Sequence, residues 1–146
     1  MKTKGFNNEA DFRKYLCNKL DKYGFTQKIE CRDLNAGVPD VVFCYKNYDL
    51  FIELKNEKKD LCLAEEYLND KNSTIKVNWR KGQQGWAMLY RKAHCSYFNI
   101  ITIIAYKNCF VYIPMLDYFH DNIVPIIKCA VYTNIDDLIS YALIED

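Results

Sequence analysis

GVPDVVFCYKNYDLFIELKNEKK, residues Gly37 to Lys59, decides how the rest of the chain is read. Pro39-Asp40 opens the apolar run VVFCY, and Glu53 and Lys55 interrupt a second run, LFIELK. Both runs have the length and the aromatic or β-branched content of strands, and KNYD between them has turn chemistry. Side chains alternate along a strand, so Glu53 and Lys55 point one way while Ile52 and Leu54 point the other. If the runs pair through the Lys46–Asp49 turn, Asp40 arrives at the far end of the second run, close to Glu53 and Lys55. The charges then either lie on a solvated sheet face, as on many one-sided sheets, or converge on something that needs them.

Working outward, a helix is expected from about Asn8 to Tyr23. Asn7 or Asn8 caps it, Glu9 and Asp11 favour its first turn, and Gly24 can end it. Its apolar stripe is Phe12, Leu16, Leu20 and Tyr23, and Glu9 falls on or beside that stripe, an awkward place for an unpaired carboxylate. FTQKIEC (Phe25–Cys31) reads as a first strand and RDLNAG as a loop, so the two central runs complete a meander. The polar stretch Asn56–Asn78 gives little signal beyond a short helix within LCLAEEYL. KGQQGWAMLYRKAH reads as a helix with Trp86, Leu89, Tyr90 and Ala93 inward, and NIITIIAY and CFVYI as a β-hairpin turning at KN. Beyond Pro114, CAVYT suggests a short strand, and a last helix starts near Asn134, capped by Thr133 or Asn134. The sum is α/β or α+β, a central mixed sheet with helices packed on it.

Two carboxylates brought to bonding distance repel, and each raises the other's pKa unless a cation intervenes. Mg²⁺ needs only one or two carboxylates, with water and substrate phosphate filling its other positions. Lys55 beside them could hold the attacking water or balance charge at a phosphate, and the set suits metal-assisted hydrolysis of a phosphodiester.

Pro39-Asp40, twelve residues, then Glu53-Leu54-Lys55 resembles the signature of the PD-(D/E)XK nuclease superfamily. Glu9 stands where several of those nucleases, archaeal Holliday-junction resolvases among them, carry an acidic ligand on the first helix. RKGQQGWAMLYRKA (Arg80–Ala93) is similar to the Gln-x-x-Trp helix of the VRR-NUC branch, common in bacteriophage genomes. The resemblance spans about Glu9 to Ile113 and implies a restriction-endonuclease-like core within one domain of residues 1–146, with 114–146 as an extension. It implies a Mg²⁺-dependent DNA endonuclease, Mn²⁺ being able to substitute, that selects branched DNA such as a junction or flap. Asp40 and Glu53 would ligate metal with Glu9 as a further ligand, Lys55 would activate water, and Gln83, or its neighbour Gln84, would orient water or phosphate. Trp86 would be a packing residue. Lys58, Lys59, Arg80 and Lys81 are the basic residues best placed in sequence to hold a DNA backbone. Stand-alone members of the branch act as homodimers, and the apolar C-terminal segment is expected either to supply that interface or to complete the core.

Composition bounds these readings. The 146 residues fit one domain with a real core, and a formal net charge of +1 lacks the strong global basicity of many nucleic-acid binders. Seven scattered cysteines without a C-x-x-C pair, and a start without an apolar signal region, lead us to expect reduced thiols in the cytoplasm. No apolar run is long enough for a membrane helix, and two histidines argue against a zinc site. Two rival classes remain open. A non-catalytic nucleic-acid-binding module on a nuclease-like fold would be expected to have lost one of Asp40, Glu53 or Lys55. A protein-interaction domain would make the acidic pair a coincidence.

Overall fold

The computed structural model describes residues 5–29, 38–94, 100–114 and 122–144. Helix α1 (Glu9–Leu20) begins where the Asn8 side chain accepts the Asp11 backbone N–H at 2.8 Å. That bond satisfies one of the donors a first turn leaves unpaired. Phe12, Leu16 and Leu20 are fully buried, and Cys17 joins them. Tyr23 does not: it stands past the helix end and is 43% exposed. Gly24 has a different task from ending the helix in a left-handed cap. A Cβ there would lie 2.3 Å from the Cys44 carbonyl oxygen, so glycine is what lets the chain leaving α1 pass the neighbouring strand.

Strands β1 (Phe25–Lys28), β2 (Val41–Tyr45) and β3 (Tyr48–Asn56) form the expected antiparallel meander. A two-residue turn with Lys46 at φ 53 joins β2 to β3 and sets Tyr45 opposite Tyr48. The register runs back to Val41 opposite Ile52, which brings Asp40, the residue before β2, to the Glu53–Leu54 stretch of β3. The chain continues through α2 (Glu65–Leu68), β4 (Thr74–Lys76) and α3 (Lys81–His94). It then enters β5 (Ile100–Ala105), which pairs parallel with β3 and turns into antiparallel β6 (Phe110–Ile113). Strand β7 (Ile123–Pro125) pairs with β4 as a separate two-stranded sheet, and β8 (Ala130–Tyr132) adds to β6 ahead of α4 (Ile135–Leu138). The main sheet therefore runs β1-β2-β3-β5-β6-β8, a mixed sheet with helices on both faces. The small sheet was not legible in advance. The loop at 32–37, residues 30 and 31 of the first predicted strand, and 115–121 lie outside the described residues.

Each face of the sheet has its own core. Leu50, Ile52 and Leu54 of β3 pack with α1, with Ile101, Ile103 and Ala105 of β5, and with Ile135, Leu138, Ile139 and Leu143 at the C-terminus. The opposite face packs Ile100, Ile104, Val111 and Ile113 against Ala87 of α3 and against Trp79, Ile75 and Val124. A sheet covered on both sides reads as near-continuous apolar strands, and β5 is buried at all six positions. The phase of α3 differs from the sequence expectation. Leu89 is 71% exposed and Ala93 also faces out, while Gln83 and Ala87 are buried and Trp86 and Tyr90 half-buried. Helical spacing alone allowed either phase, and the one adopted puts Trp86 and Tyr90 on Phe51 of β3, at ring distances of 5.6 and 5.2 Å.

The described part of the C-terminal segment completes the core, one of the two roles expected for it. Asn134 caps α4 by accepting the Asp136 N–H, and Leu138 is fully buried. Leu138→Ala should therefore cost about 2–5 kcal/mol in urea unfolding. Tyr141→Ala, at a position 62% exposed, should stay within about 0.5 kcal/mol. Equal costs for the two would refute the core assignment.

Candidate active site

Glu53 and Lys55 lie on the face of β3 that α3 covers, so their charges are buried rather than solvated: 2% and 6% of their surfaces remain exposed. The solvated-face reading is thereby removed. Ionised groups in such a position must be paired and hydrogen-bonded. Lys55 Nζ sits 3.4 Å from Glu53 Oε2 and donates to Gln83 Oε1 at 3.0 Å. Gln83 Nε2 donates to the same Glu53 oxygen at 2.8 Å, and Gln83 Oε1 also accepts the Arg80 backbone N–H at 2.9 Å. Two donors on one side and an acceptor on the other permit only this orientation of the amide. Gln83, 4% exposed, thus faces β3. The side chains of Gln84 and Lys81 lie outside what the structure describes.

Asp40 enters from the neighbouring strand, after the buried Pro39. Its Oδ2 accepts the Leu54 backbone N–H at 2.8 Å, which fixes the carboxylate against β3 beside Glu53. Each acid therefore commits one oxygen to internal bonds, and the other oxygen of Glu53, Oε1, is buried without a hydrogen-bond partner. Burial pushes the Glu53 pKa from 4.5 up to about 8, with the Asp40 carboxylate adding to the rise and Lys55 opposing it. A buried orphan acceptor next to a second carboxylate calls for either a proton or a cation. The donor set, all oxygen, suits a hard divalent ion. Among the described residues no three acidic, histidine or cysteine side chains converge as a complete metal cage, so protein ligands would supply only part of a coordination shell.

Glu9 stands at the rim of this group. Partial burial of its carboxyl raises its pKa, Lys55 and Arg80 pull it down, and Asp40 pushes it up. The residue as a whole is exposed. It joins the same electrostatic neighbourhood without completing a three-ligand cluster. Arg80, exposed at the start of α3, reaches that neighbourhood too, whereas Lys58 and Lys59 lie on the exposed segment just past the end of β3.

Two further residues, missed in the sequence, support the site. Thr102 of β5 lies level with Glu53, is fully buried, and accepts Trp79 Nε1–H at 3.1 Å. Asn122, left-handed at φ 59, donates from Nδ2 to the Trp79 carbonyl at 2.9 Å. Together they hold the chain entering α3, and with it Gln83. A lone threonine inside IITIIA was the only available hint, because the parallel pairing that sets it beside Glu53 is not encoded locally.

No family model matches the chain, and no curated protein matches it. Among solved structures, it is similar to Archaeoglobus fulgidus Hjc, a Holliday junction resolvase from an archaeal hyperthermophile. The TM-score is 0.53 at 13% sequence identity, covering 80% of this chain and 87% of that one. At that identity the likeness is one of fold, and the mixed sheet flanked by helices is the restriction-endonuclease-like architecture expected from sequence. Among the described residues no helix is long and apolar enough to cross a membrane.

The Glu53 shift has a definite sign. The folded state binds this proton more tightly than the unfolded chain, so the stability it confers is complete below pH 4.5 and is lost as pH rises through about 8. In chelator, thermal melts of the wild type should show a loss on the order of a few kcal/mol across that window. Glu53→Gln, which keeps the shape without the titration, should flatten the slope. A parallel slope in the variant would assign the loss to other groups.

Proposed function

We propose that this chain is a divalent-metal-dependent DNA endonuclease of the PD-(D/E)XK type, in its VRR-NUC-like branch, acting on branched DNA such as a junction or flap. One observation carries the reading: two carboxylates from adjacent strands, one with an orphaned buried oxygen, lie beside a buried ammonium at the end of a sheet. The arrangement costs desolvation energy, which a cation bound at the orphaned oxygen would offset. The fold likeness to a Holliday junction resolvase supports the same direction.

Asp40 and the free oxygen of Glu53 would hold the ion, Mg²⁺ with Mn²⁺ able to replace it, and Glu9 is the further ligand closest at hand. Such an ion, when bound, supplies Lewis-acid charge at the scissile phosphate and an acidified water. Lys55 has three N–H donors, and Gln83 and Glu53 occupy two of its directions. The remaining one can meet a water or a non-bridging phosphate oxygen. Gln83 acts through its neighbours, holding Glu53 and Lys55 in one geometry, because its oxygen already accepts two donors. Lys58, Lys59, Arg80 and Lys81 contribute phosphate contacts around this centre. A homodimer would present two such centres to the two strands of a branch.

A labelled panel of single strand, duplex, flap, splayed arm and four-way junction, incubated with Mg²⁺ or Mn²⁺, tests the reading. Asp40→Asn and Glu53→Gln preserve the local shape and should lower cleavage by about a hundredfold or more, with Gln83→Ala losing about ten- to a hundredfold. Either ion should raise the melting temperature of the wild type, and more at pH 8 than at pH 5, because the ion displaces the Glu53 proton. No cutting of any substrate, together with melting curves indifferent to both ions, would refute the proposal.

A further inference from the structure

Past the end of β3 that carries Lys55, three segments meet around a cavity of about 220 Å³ lined by Gly5, Phe6, Asn7, Lys58 and Lys107. Its walls are anchored on every side. Asn56 Nδ2 donates to the Phe6 carbonyl at 2.9 Å, and the Phe6 ring stacks on Phe12 and lies against Tyr15 and Phe110. The Lys107 backbone N–H donates to the Lys59 carbonyl at 2.9 Å, tying the two lysine-bearing turns together. Gly5 adopts φ +83, and a Cβ there would come within 3.3 Å of the Lys107 side chain. Glycine at this position therefore both permits the backbone conformation and keeps the cavity clear.

The cavity's chemistry is that of an anion site. Both lysines are exposed, and neither makes an ion pair with a described residue. Helix α1 begins immediately after Asn7 and Asn8, but Glu9 and Asp11 in its first turn offset the positive end of its dipole, so the two lysines carry the positive character of this wall. Lys58 follows Lys55 by three positions, which limits their Cα atoms to about 11 Å apart. Asn56, between them, points to the opposite face of the sheet from Lys55.

We infer that this cavity is a phosphate subsite that grips the nucleic-acid backbone beside the cleaved bond, on the α1 side of the sheet. Lys58 and Lys107 clamp one phosphate group, and the strand crosses the end of the sheet from the α3 face to reach them. The inference rests on the nuclease reading and adds Lys107 and the Gly5–Asn7 wall to it.

The test uses the full chain, a fluorescently labelled duplex and a labelled four-way junction, with binding followed by anisotropy across a salt series in chelator. Lys58→Ala/Lys107→Ala is compared with Lys71→Ala/Lys128→Ala, which removes the same charge at exposed positions elsewhere. The first double variant should bind about tenfold more weakly at moderate salt and lower the magnitude of the log–log salt slope by about one, with the control near wild type. Equal binding by the two double variants overturns the subsite, and if the wild type still cuts DNA with Mg²⁺ the nuclease reading survives that result. A wild type that neither binds nor cuts overturns both.

Discussion

A carboxylate and an ammonium buried side by side on the central strand are the constraint around which this structure is arranged. Strand β3 is covered on both faces, so Glu53 and Lys55 cannot relax into water. Their mutual attraction alone does not offset the loss of hydration; further hydrogen bonds must do so. The Gln83 amide supplies them, donating a hydrogen bond to Glu53 and accepting one each from Lys55 and the Arg80 backbone. One glutamine thus satisfies opposite charges at once, which neither a carboxylate nor a lysine could do at that position.

Seating Gln83 is a packing problem, and the apolar residues around it solve that problem. Phe51, Trp86 and Tyr90 form a connected aromatic cluster, with Trp86 stacked on Tyr90 at 5.2 Å, and Ala87 brings the next turn of α3 down onto the sheet. Trp86 and Tyr90 lie one and two helical turns from Gln83, so their contact with β3 fixes both the height and the rotation of the helix. On the other face, Leu50, Ile52 and Leu54 lock the strand to α1. The charged pair is therefore clamped between two apolar layers. Relaxing either layer would leave a buried charge short of a partner, a costlier defect than a simple cavity.

What was legible in the sequence follows from how local each signal is. The meander, the α1 cap and the alternation of β3 rest on neighbours within a few residues, and the structure has them. The placing of Asp40 beside Glu53 was legible because a short turn fixes hairpin register. The phase of α3 was not: LeuXXXAla and GlnXXXAla stripes are equally helical, and the choice is made by Phe51, about thirty residues upstream. Nor was the β4–β7 pair, whose strands are three residues each and separated by α3, β5 and β6. Thr102 and Asn122 were invisible for the same reason, since their partners are set by parallel pairing and by chain crossing rather than by spacing.

Those non-local pieces are what aim the helix. Val77 N–H donates to the Asn122 carbonyl, Asn122 Nδ2 returns a bond to the Trp79 carbonyl, and Trp79 Nε1 reaches Thr102, level with Glu53. The residue after Trp79 is Arg80, whose backbone N–H ends on Gln83. These hydrogen bonds, joined through the Trp79–Arg80 peptide, link the small sheet to the buried charges, and Val77, Trp79, Thr102 and Asn122 all come from stretches with little motif content. Had Trp79 been free to shift, Gln83 could still lie on a helix, but its amide would no longer meet Glu53 and Lys55 together. The acidic motif sets which groups are present at this site; the Asn122–Trp79–Thr102 series sets where they point, and for a network of buried charges direction decides whether the arrangement is stable at all.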